Sequence, residues 1–524
     1  MKNMRKFFAM ALAVVMVLSL ATTAFAAKIT IDDDVVNGAE YSAYKLLNAT
    51  NSADGKKFAY TLNEKYAEVL KAVTGKTTEA DIIAYISEIA DKSAAAQAFA
   101  DAVYAKVKDM APDYTTTTNV FENVPQGYYL IVETATGSAE GFEEDTYSLV
   151  MLDTAGKDNI TVVTKEELPQ SEKKVKDKND SEGTVTDWQD SADHDIGDAV
   201  PFKITFTLPS DFANYEEYYV GIHDVQAAGL TYNNDLKVTV GEAVITNWFT
   251  YSTEKKENCN CTFHISCEDI IAAAKASGVT LKAGDKIVFE YTSTLNEHAV
   301  LGSTGNPNEM YIEFSNNPYG DGTSKTPNDK VIVFTYKVNV DKFAEKVEDG
   351  VALTGADFTL YKEVATAIKD AKTGAAIKAE LAAKNKDIKA SALIDDKYYI
   401  VVGNKSGDAT GSTFGFEGVD DGNYVLVETT IPAGYNAWDA VAFTISAKHD
   451  EKSDNPELTS LTGGDLFTGD VDAGILDTDI ENKSGTELPS TGGMGTTLFY
   501  IFGAILMVGA AVLLITKRRM SMAE

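Results

Sequence analysis

Residues Phe416–Tyr435 read FEGVDDGNYVLVETTIPAGY, and this stretch decides the fold. A turn at 420–422 leads into the apolar run YVLV, which is typical of a buried strand. Because residues two apart in a strand share a face, Glu428 lies beside Tyr424 and Leu426 in an apolar layer. An unpaired charge is very costly there, so the sequence predicts that partners fold against this carboxylate.

The same pattern occurs earlier in the chain. FENVPQGYYLIVET at 121–134 matches FEGVDDGNYVLVET at 416–429 in register, with Phe, Glu, Val, Gly, Tyr, Val, Glu and Thr at shared positions. The chain therefore directs a carboxylate into an apolar layer twice, at Glu133 and at Glu428.

Two strands at the ends of the last region supply candidate partners. Val338, Val340 and Lys342 share one face by alternation, so Lys342 is predicted to point inward. Near the end of that region, Asn482 lies on the face of Ile480. A lysine, an asparagine and a glutamate are thus expected to converge in one core.

Such a trio can react. Burial lowers the pKa of a lysine and raises that of a glutamate, which provides a neutral amine and an acid that can polarise a carboxamide. Folding holds the atoms near attack distance, ammonia leaves, and an isopeptide amide remains. The alternative is a buried Lys–Glu pair that does not react, and the alternation of faces does not decide between the two.

The N-terminus has the pattern of a secretory signal peptide. Lys2, Arg5 and Lys6 precede an apolar run at 7–20, and an A-x-A site ends at Ala26. We expect residues 1–26 to be removed. A membrane anchor is the alternative, but the apolar run is short for a bilayer span.

The C-terminus carries LPSTGG, then an apolar segment at 498–516 that is long enough to span a bilayer, then a basic tail. This ordered set resembles the cell-wall sorting signal of Gram-positive surface proteins. The resemblance implies that a sortase cleaves after Thr491 and transfers its acyl group to an amine. The alternative is a plain single-pass anchor. The motif consists of Leu488, Pro489, Ser490, Thr491 and Gly492.

Composition excludes some partners. With 79 Asp and Glu against 46 Lys and Arg, the net charge of −33 argues against nucleic acid or an anionic membrane surface. Roughly 460 residues between the processing signals allow about three domains. Short strands with turn signals indicate tandem immunoglobulin-like β-sandwiches, the first with a helical insertion at about 62–110. The predicted domains are 27–168, 169–331 and 332–487, followed by the sorting signal at 488–524.

The cysteines lie in one short segment. Cys259, Cys261 and Cys267 allow one disulfide and a free thiol. A zinc site that includes His264 is conceivable, but no second ligand pair is apparent, so we expect no metal and no cofactor.

Further segments resemble a known family. YVLVETTIPAGY at 424–435 looks like the E-box of Gram-positive pilins, and LTGADFTLYK at 353–362 looks like the early strand of their Cna B-type domains. With the sorting signal, the chain resembles a sortase-assembled major pilin with Cna A/B-type domains. The resemblance implies that Lys342 and Asn482 are bonded and that Glu428 is the catalytic acid.

The middle domain resembles that of the same pilins. SEKKVKD suggests Lys173, which shares a face with Val175, and GIHDVQAAGLTY supplies Asp224 as the acid. EYTSTLNEHAV supplies Asn296 as the bonded asparagine. Alternation does not single it out, and the following asparagines stay open: Asn308, Asn316 and Asn317.

The first domain departs from the family pattern. ATGSAEG replaces the Pro-x-Gly-Tyr tail after Glu133, and no Lys/Asn pair is evident. We expect no internal bond there and expect Glu133 to contact a nearby lysine instead. In the family, a lysine before the next domain accepts the acyl group, usually within Tyr-Pro-Lys-Asn. Lys165 occupies that place without the Tyr-Pro pair, and Lys173 and Lys174 are competitors.

The sequence therefore predicts a structural shaft subunit of a pilus, joined head to tail from Thr491 to Lys165. Expected partners are pilus-type and wall-anchoring sortases, identical subunits and peptidoglycan, with minor pilins and host surface ligands as further candidates. A monomeric wall-anchored adhesin of the same domain type is the alternative. An enzyme is disfavoured because no nucleophile motif, metal cluster or pair of catalytic carboxylates is evident.

Overall fold

The computed structural model describes residues 26–32, 39–52, 57–89, 93–135, 147–163, 168–254, 259–318, 322–407 and 411–485, together with position 507. Strands dominate these ranges, and they form pairs of sheets in three consecutive regions of the chain. The described part is therefore mainly β.

The first region holds two sheets with helices between their strands. One sheet has the order β5-β1-β8, and the other has the order β3-β2-β6-β7 with β4 beside β2. Its elements are β1 (Ala26–Asp32), β2 (Glu40–Asn51), β3 (Phe58–Leu62), α1 (Ala67–Thr74), α2 (Glu79–Ile89), α3 (Ser93–Val107), β4 (Tyr114–Thr116), β5 (Val120–Pro125), β6 (Gly127–Ala135), β7 (Leu149–Asp153) and β8 (Asn159–Val163).

The helices of this region cover one sheet. Leu70 of α1, Ile82 of α2 and Val103 of α3 are buried against Leu130 of β6 in one core. A helix needs such tertiary burial to be stable at this length, which explains why the insertion packs onto the sheet rather than standing free.

The middle region is a two-sheet sandwich. Its elements are β9 (Gln170–Val175), β10 (Lys178–Asn179), β11 (Thr184–Val185), β12 (Ser191–Asp193), β13 (Ala199–Thr207), β14 (Val220–Gln226), β15 (Leu230–Tyr232), β16 (Lys237–Val240), β17 (Ala243–Val244), β18 (Thr250–Ser252), β19 (Phe263–Cys267), α4 (Ile270–Ser277), β20 (Lys286–Leu295), β21 (Asn306–Ser315), β22 (Thr323–Lys325) and β23 (Asp329–Phe334).

The two sheets of the middle region run β12-β23-β21-β14-β19-β18 and β17-β16-β20-β13-β9. Strict alternation builds the core between them, since β20 and β21 bury every second residue. Its one described α-helix, α4, is capped by Asp269, whose carboxylate accepts from the backbone N–H groups of Ile271 and Ala272. It ends at Gly278, which is left-handed with φ of 71°.

The last region is a second sandwich. Its elements are β24 (Tyr336–Ala344), β25 (Asp357–Val364), β26 (Lys372–Thr373), α5 (Gly374–Lys384), β27 (Tyr398–Ser406), β28 (Thr413–Val419), β29 (Gly422–Thr430), β30 (Val441–His449), β31 (Leu458–Thr462), β32 (Thr468–Asp470) and β33 (Ile475–Asn482). The sheets run β28-β24-β33-β32 and β26-β27-β25-β29-β30-β31. The first strand, β24, pairs in parallel with the last, β33.

The middle and last regions meet through a buried charge cluster. Lys362 of β25 donates to Asp420 at 2.5 Å, to Asp195 at 2.7 Å and to Asp180 at 3.2 Å. Asp195 and Asp180 belong to the middle region, whereas Asp420 belongs to the last. Burial alone lowers the pKa of Lys362, but the three carboxylates outweigh it and hold the pKa above its usual value. We call these four residues the junction cluster.

In the described ranges, helices are too short or too polar to cross a membrane. Apart from position 507, the predicted span at 498–516 lies outside the described residues.

Candidate cross-linking sites

The last region brings Lys342, Glu428 and Asn482 together, and we call them the C-terminal triad. Lys342 and Asn482 lie on the neighbouring parallel strands β24 and β33, where Ala344 is paired with Asn482. Glu428 reaches them from β29 of the facing sheet. Alternation along regular strands thus delivers all three side chains to one point in the core.

The geometry of the triad is tight. Lys342 Nζ donates to Asn482 Oδ1 across 2.6 Å, and Asn482 Nδ2 donates to Glu428 Oε1 across 2.8 Å. The same Glu428 oxygen lies 3.6 Å from Lys342 Nζ. One carboxylate oxygen is therefore near both the amine and the amide nitrogen.

The triad is buried, and burial affects the charge of Lys342. All three residues are 1–2% exposed. Burial lowers the pKa of Lys342 to about 8, although the charge of Glu428 opposes the shift. The second Glu428 oxygen accepts from the Trp438 N–H at 2.8 Å, which fixes the carboxylate.

The middle region has a related cluster, formed by Lys173, Asp224, Tyr291 and Asn308, which we call the middle cluster. Lys173 Nζ donates to Asp224 at 2.6 Å and to the Tyr291 hydroxyl at 3.0 Å. That hydroxyl donates to Asp224 at 2.6 Å and accepts from Asn308 Nδ2 at 3.0 Å. Burial lowers the pKa of Lys173 and raises that of Asp224.

The prediction of Asn296 is not supported by its position. Asn296 follows the end of β20, and its amide donates to the Ala228 carbonyl and the Thr231 hydroxyl. Asn308 instead lies fully buried on β21. The physical reason is that the inward alternation of β20 ends at Leu295, so Asn296 falls in the turn.

Sequence reasoning also missed Tyr291. The sequence pattern does indicate that Tyr291 is buried, because alternation on β20 places it on the inward face with Ile287 and Phe289. A buried phenol normally finds a hydrogen-bond partner, and here that partner is the acid of the cluster.

Glu133 is buried on β6, as predicted, and accepts from the Ser148 N–H at 3.2 Å. The strand that corresponds to β24 in this region is β1, whose inward positions are Ala27, Ile29 and Ile31. None of these side chains carries an amine, so the described part of β1 offers no counterpart of Lys342.

Other predicted residues lie outside the described part of the chain. These are Lys165, which follows β8, and the sorting motif at 488–492 with Thr491. The competitors of Lys165 are described: Lys173 is fully buried, and Lys174 is paired with Asp190 at 2.5 Å.

The cysteine segment gains a second pair of potential metal ligands. His223 of β14 and His264 of β19 lie against Cys259 and Cys261, with ligand atoms all within 4.8 Å of one another. The sequence did not reveal this grouping because His223 is distant along the chain.

Two family models match the sequence. Residues 337–457 match a prealbumin-like fold domain, and residues 480–521 match the LPXTG cell wall anchor motif. The first match covers β24 and the E-box strand β29. The second covers the end of β33 and the predicted sorting signal.

Known proteins are also similar. The trypsin-resistant surface T6 protein of Streptococcus pyogenes serotype M6 is 26% identical over 405 residues, which are 68% of this chain and 70% of that protein. Fimbrial subunit type 1 of Actinomyces viscosus is 33% identical over 106 residues, 20% of this chain and 17% of that protein. The solved T6 backbone pilin of S. pyogenes has 18% identity and a TM-score of 0.52, with 90% of this chain and 100% of that chain covered, which shows a shared fold.

Proposed function

We propose that this chain, a backbone pilin of a Gram-positive cell wall by its homology, is the repeating shaft subunit of a covalently polymerised pilus. It is a structural protein and not an enzyme. The observation that carries the proposal is the C-terminal triad, because a buried amine that contacts a carboxamide and a carboxylate is arranged for an internal cross-link.

The triad supports the following reaction. The neutral Lys342 amine attacks Asn482 Cγ, a new C–N bond forms, and the bond from Cγ to Nδ2 breaks to release ammonia. The amine must lose one proton and the leaving nitrogen must gain one. Glu428 Oε1 lies near both nitrogens, so it can carry this proton from one to the other. The amide product cannot be protonated as an amine can, so the nitrogen of Lys342 can no longer carry a buried charge.

In the middle cluster we propose the same reaction between Lys173 and Asn308, with Asp224 as the proton carrier. Tyr291 holds the cluster together, since its hydroxyl contacts the lysine, the aspartate and the asparagine. Among the described residues, Asn308 Oδ1 has no hydrogen-bond partner, which leaves its carbonyl available to the amine.

For polymerisation, we propose that sortase joins Thr491 of one subunit to Lys165 of the next. Support comes from the anchor match at 480–521 and from the two competing lysines, one buried and one ion-paired. We also propose that 498–516 holds the chain in the membrane until cleavage, and that a wall-anchoring sortase links the finished pilus to peptidoglycan.

A denaturing gel of boiled cell-wall extract tests the assembly. The shaft subunit should give a ladder of covalent multimers, whereas a monomeric adhesin would give a single band. Lys165→Ala should abolish the ladder, and Lys174→Ala, the matched control, should preserve it. A ladder that persists in Lys165→Ala would overturn the choice of lysine.

A further inference from the structure

We propose that His223, Cys259, Cys261 and His264 form a Cys₂His₂ zinc site on the outer face of the middle sandwich. Two thiolates and two imidazoles are a common donor set of structural zinc, which is bound tetrahedrally. We call these four residues the sulfur–imidazole cluster. It lies apart from the cross-linking residues, since His223 and Asp224 point to opposite faces of β14.

The distances from His223 to the two sulfurs fit a single small ion. All four ligand atoms lie within 4.8 Å of one another, and His223 Nδ1 is 3.5 Å from Cys259 Sγ and 3.4 Å from Cys261 Sγ. Zinc bond lengths imply separations of about 3.3–3.8 Å between ligands of a tetrahedral site. The two distances from His223 to sulfur already match these separations, whereas the sulfurs of Cys259 and Cys261, which are bonded to each other in this structure, must separate when the ion binds.

A carboxylate orients one of the imidazoles. His223 Nε2 lies 3.1 Å from Glu313 Oε2, so this nitrogen can donate its proton while Nδ1 presents its lone pair to the sulfurs. Metal-bound histidines usually donate their other N–H to a carboxylate in this way. The Tyr311 ring stacks on His223 at a centroid distance of 4.4 Å and fixes the ring plane.

The backbone holds the ligands rigidly. His223 and His264 are directly paired on the antiparallel strands β14 and β19. Both are 3–4% exposed although they face away from the sandwich core, and Cys259 and Cys261 lie against them. Zinc would clamp this segment onto the outer face of the sheet.

The disulfide between Cys259 and Cys261 that this structure contains is the competing state. A disulfide that encloses a single residue constrains the unfolded chain little, because the entropic gain grows with loop length. It also gives no role to the two imidazoles or to Glu313. The chain is synthesised with free thiols, so Zn²⁺ can bind by displacing two thiol protons, without any redox step.

The test measures zinc in the purified ectodomain, prepared under reducing conditions and exposed to equimolar Zn²⁺. We expect one zinc per chain after dialysis, and tetrahedral Co²⁺ absorption with a thiolate charge-transfer band when Co²⁺ is substituted. Cys261→Ser and His264→Gln should lose the metal. Cys267→Ser is the matched control, because this buried thiol lies on β19 outside the cluster, and it should keep the metal.

Two results would overturn the proposal. One is a zinc content that is no higher in the parent than in Cys261→Ser. The other is a thiol count showing that Cys259 and Cys261 become a disulfide in the presence of Zn²⁺ while the metal is not retained. Glu313→Gln should fold and bind zinc about 10- to 100-fold more weakly, which separates the orienting role from loss of structure.

Discussion

Glu428 is a carboxylate at a buried position, where an unpaired charge is energetically costly. Its Oε1 lies 2.8 Å from the amide nitrogen of Asn482 and 3.6 Å from Lys342 Nζ. Water is excluded there, so a proton leaving the amine has this oxygen as its nearby acceptor. The apolar setting of Glu428 is therefore part of the proposed reaction.

Replacing Glu428 by Gln should stop the bond between Lys342 and Asn482. A glutamine keeps the shape but cannot carry the proton, so the reduced ectodomain should be heavier than expected for the bonded form by one retained ammonia. Glu133→Gln is the matched control, because that glutamate occupies the same motif in the first region. An unchanged ammonia loss in Glu428→Gln would refute the proton-carrier role.

Two asparagines of the middle region, Asn296 and Asn308, give a paired prediction. Asn308→Ala should retain one ammonia in intact mass, because Asn308 contacts the Tyr291 hydroxyl of the cluster. Asn296→Ala should leave the ammonia loss unchanged, because the amide of Asn296 donates a hydrogen bond to the Ala228 carbonyl and lies outside the cluster. The opposite result would restore Asn296 as the bonded residue.

For single residues, alternation in the sequence predicts the buried face only where a strand is regular. Lys342 and Asn482 are both buried, and the alternation of β24 and β33 continues to the ends of these strands. Alternation could not place Asn296, since the strand ends one residue earlier. His223 was hidden because its partners come from a distant segment, and only the pairing of β14 with β19 brings them together.

Among the elements, the parallel pair β24 and β33 determines the mechanical role. These are the first and last strands of the last region, so a bond between them joins the points where pulling force enters and leaves. The sheets between them are then spared the load. The domain pattern of the sequence predicted these strands, but their parallel register is a tertiary property that local patterns do not contain.

Lys342→Ala should destabilise the last region strongly. The proposed cross-link would close a loop with a sequence separation of 140 residues, which in the loop-entropy account of disulfides is worth about 4–5 kcal/mol. We expect the unfolding midpoint in calorimetry to fall by about 10–20 °C. Glu428→Gln also lacks the bond but keeps the lysine, so a similar fall is expected. A fall confined to Lys342→Ala would assign the effect to packing.

Across the whole molecule, the middle and last regions share a buried acidic junction. Burial and the charge of Asp177 raise the pKa of Asp193 to about 7, with a further contribution from Asp421. Hydrogen bonding to Asp177 and the charge of Asp193 raise the pKa of His449 against the effect of burial. The buried residues Lys362 and Asp420 lie in the same interface.

The contact between the middle and last regions should be more stable at pH 5 than at pH 7.5. The contribution of an Asp with a raised folded pKa to the free energy of unfolding falls as pH rises from about 4 to 7. The contribution of a His with a raised folded pKa falls as pH rises through that folded value. Each group contributes at most about 1.4 kcal/mol per pH unit. Asp180 has a lowered pKa, so its contribution to stability changes only in more acidic solution.

Denaturant unfolding of the ectodomain across this pH range measures the effect. Asp193→Asn removes the charge and should flatten the profile, whereas Asp285→Asn, at a surface turn of the middle region, should not. A profile that rises from pH 5 to 7.5 would contradict the assignment.

The central claim, that folding closes internal amide bonds, is tested most directly by the intact mass of the reduced, metal-free ectodomain. The account predicts a mass lower than that of the sequence by two ammonia molecules. Proteolytic fragments should join the strand of Lys342 to that of Asn482, and the strand of Lys173 to that of Asn308. A mass equal to that of the sequence would contradict it.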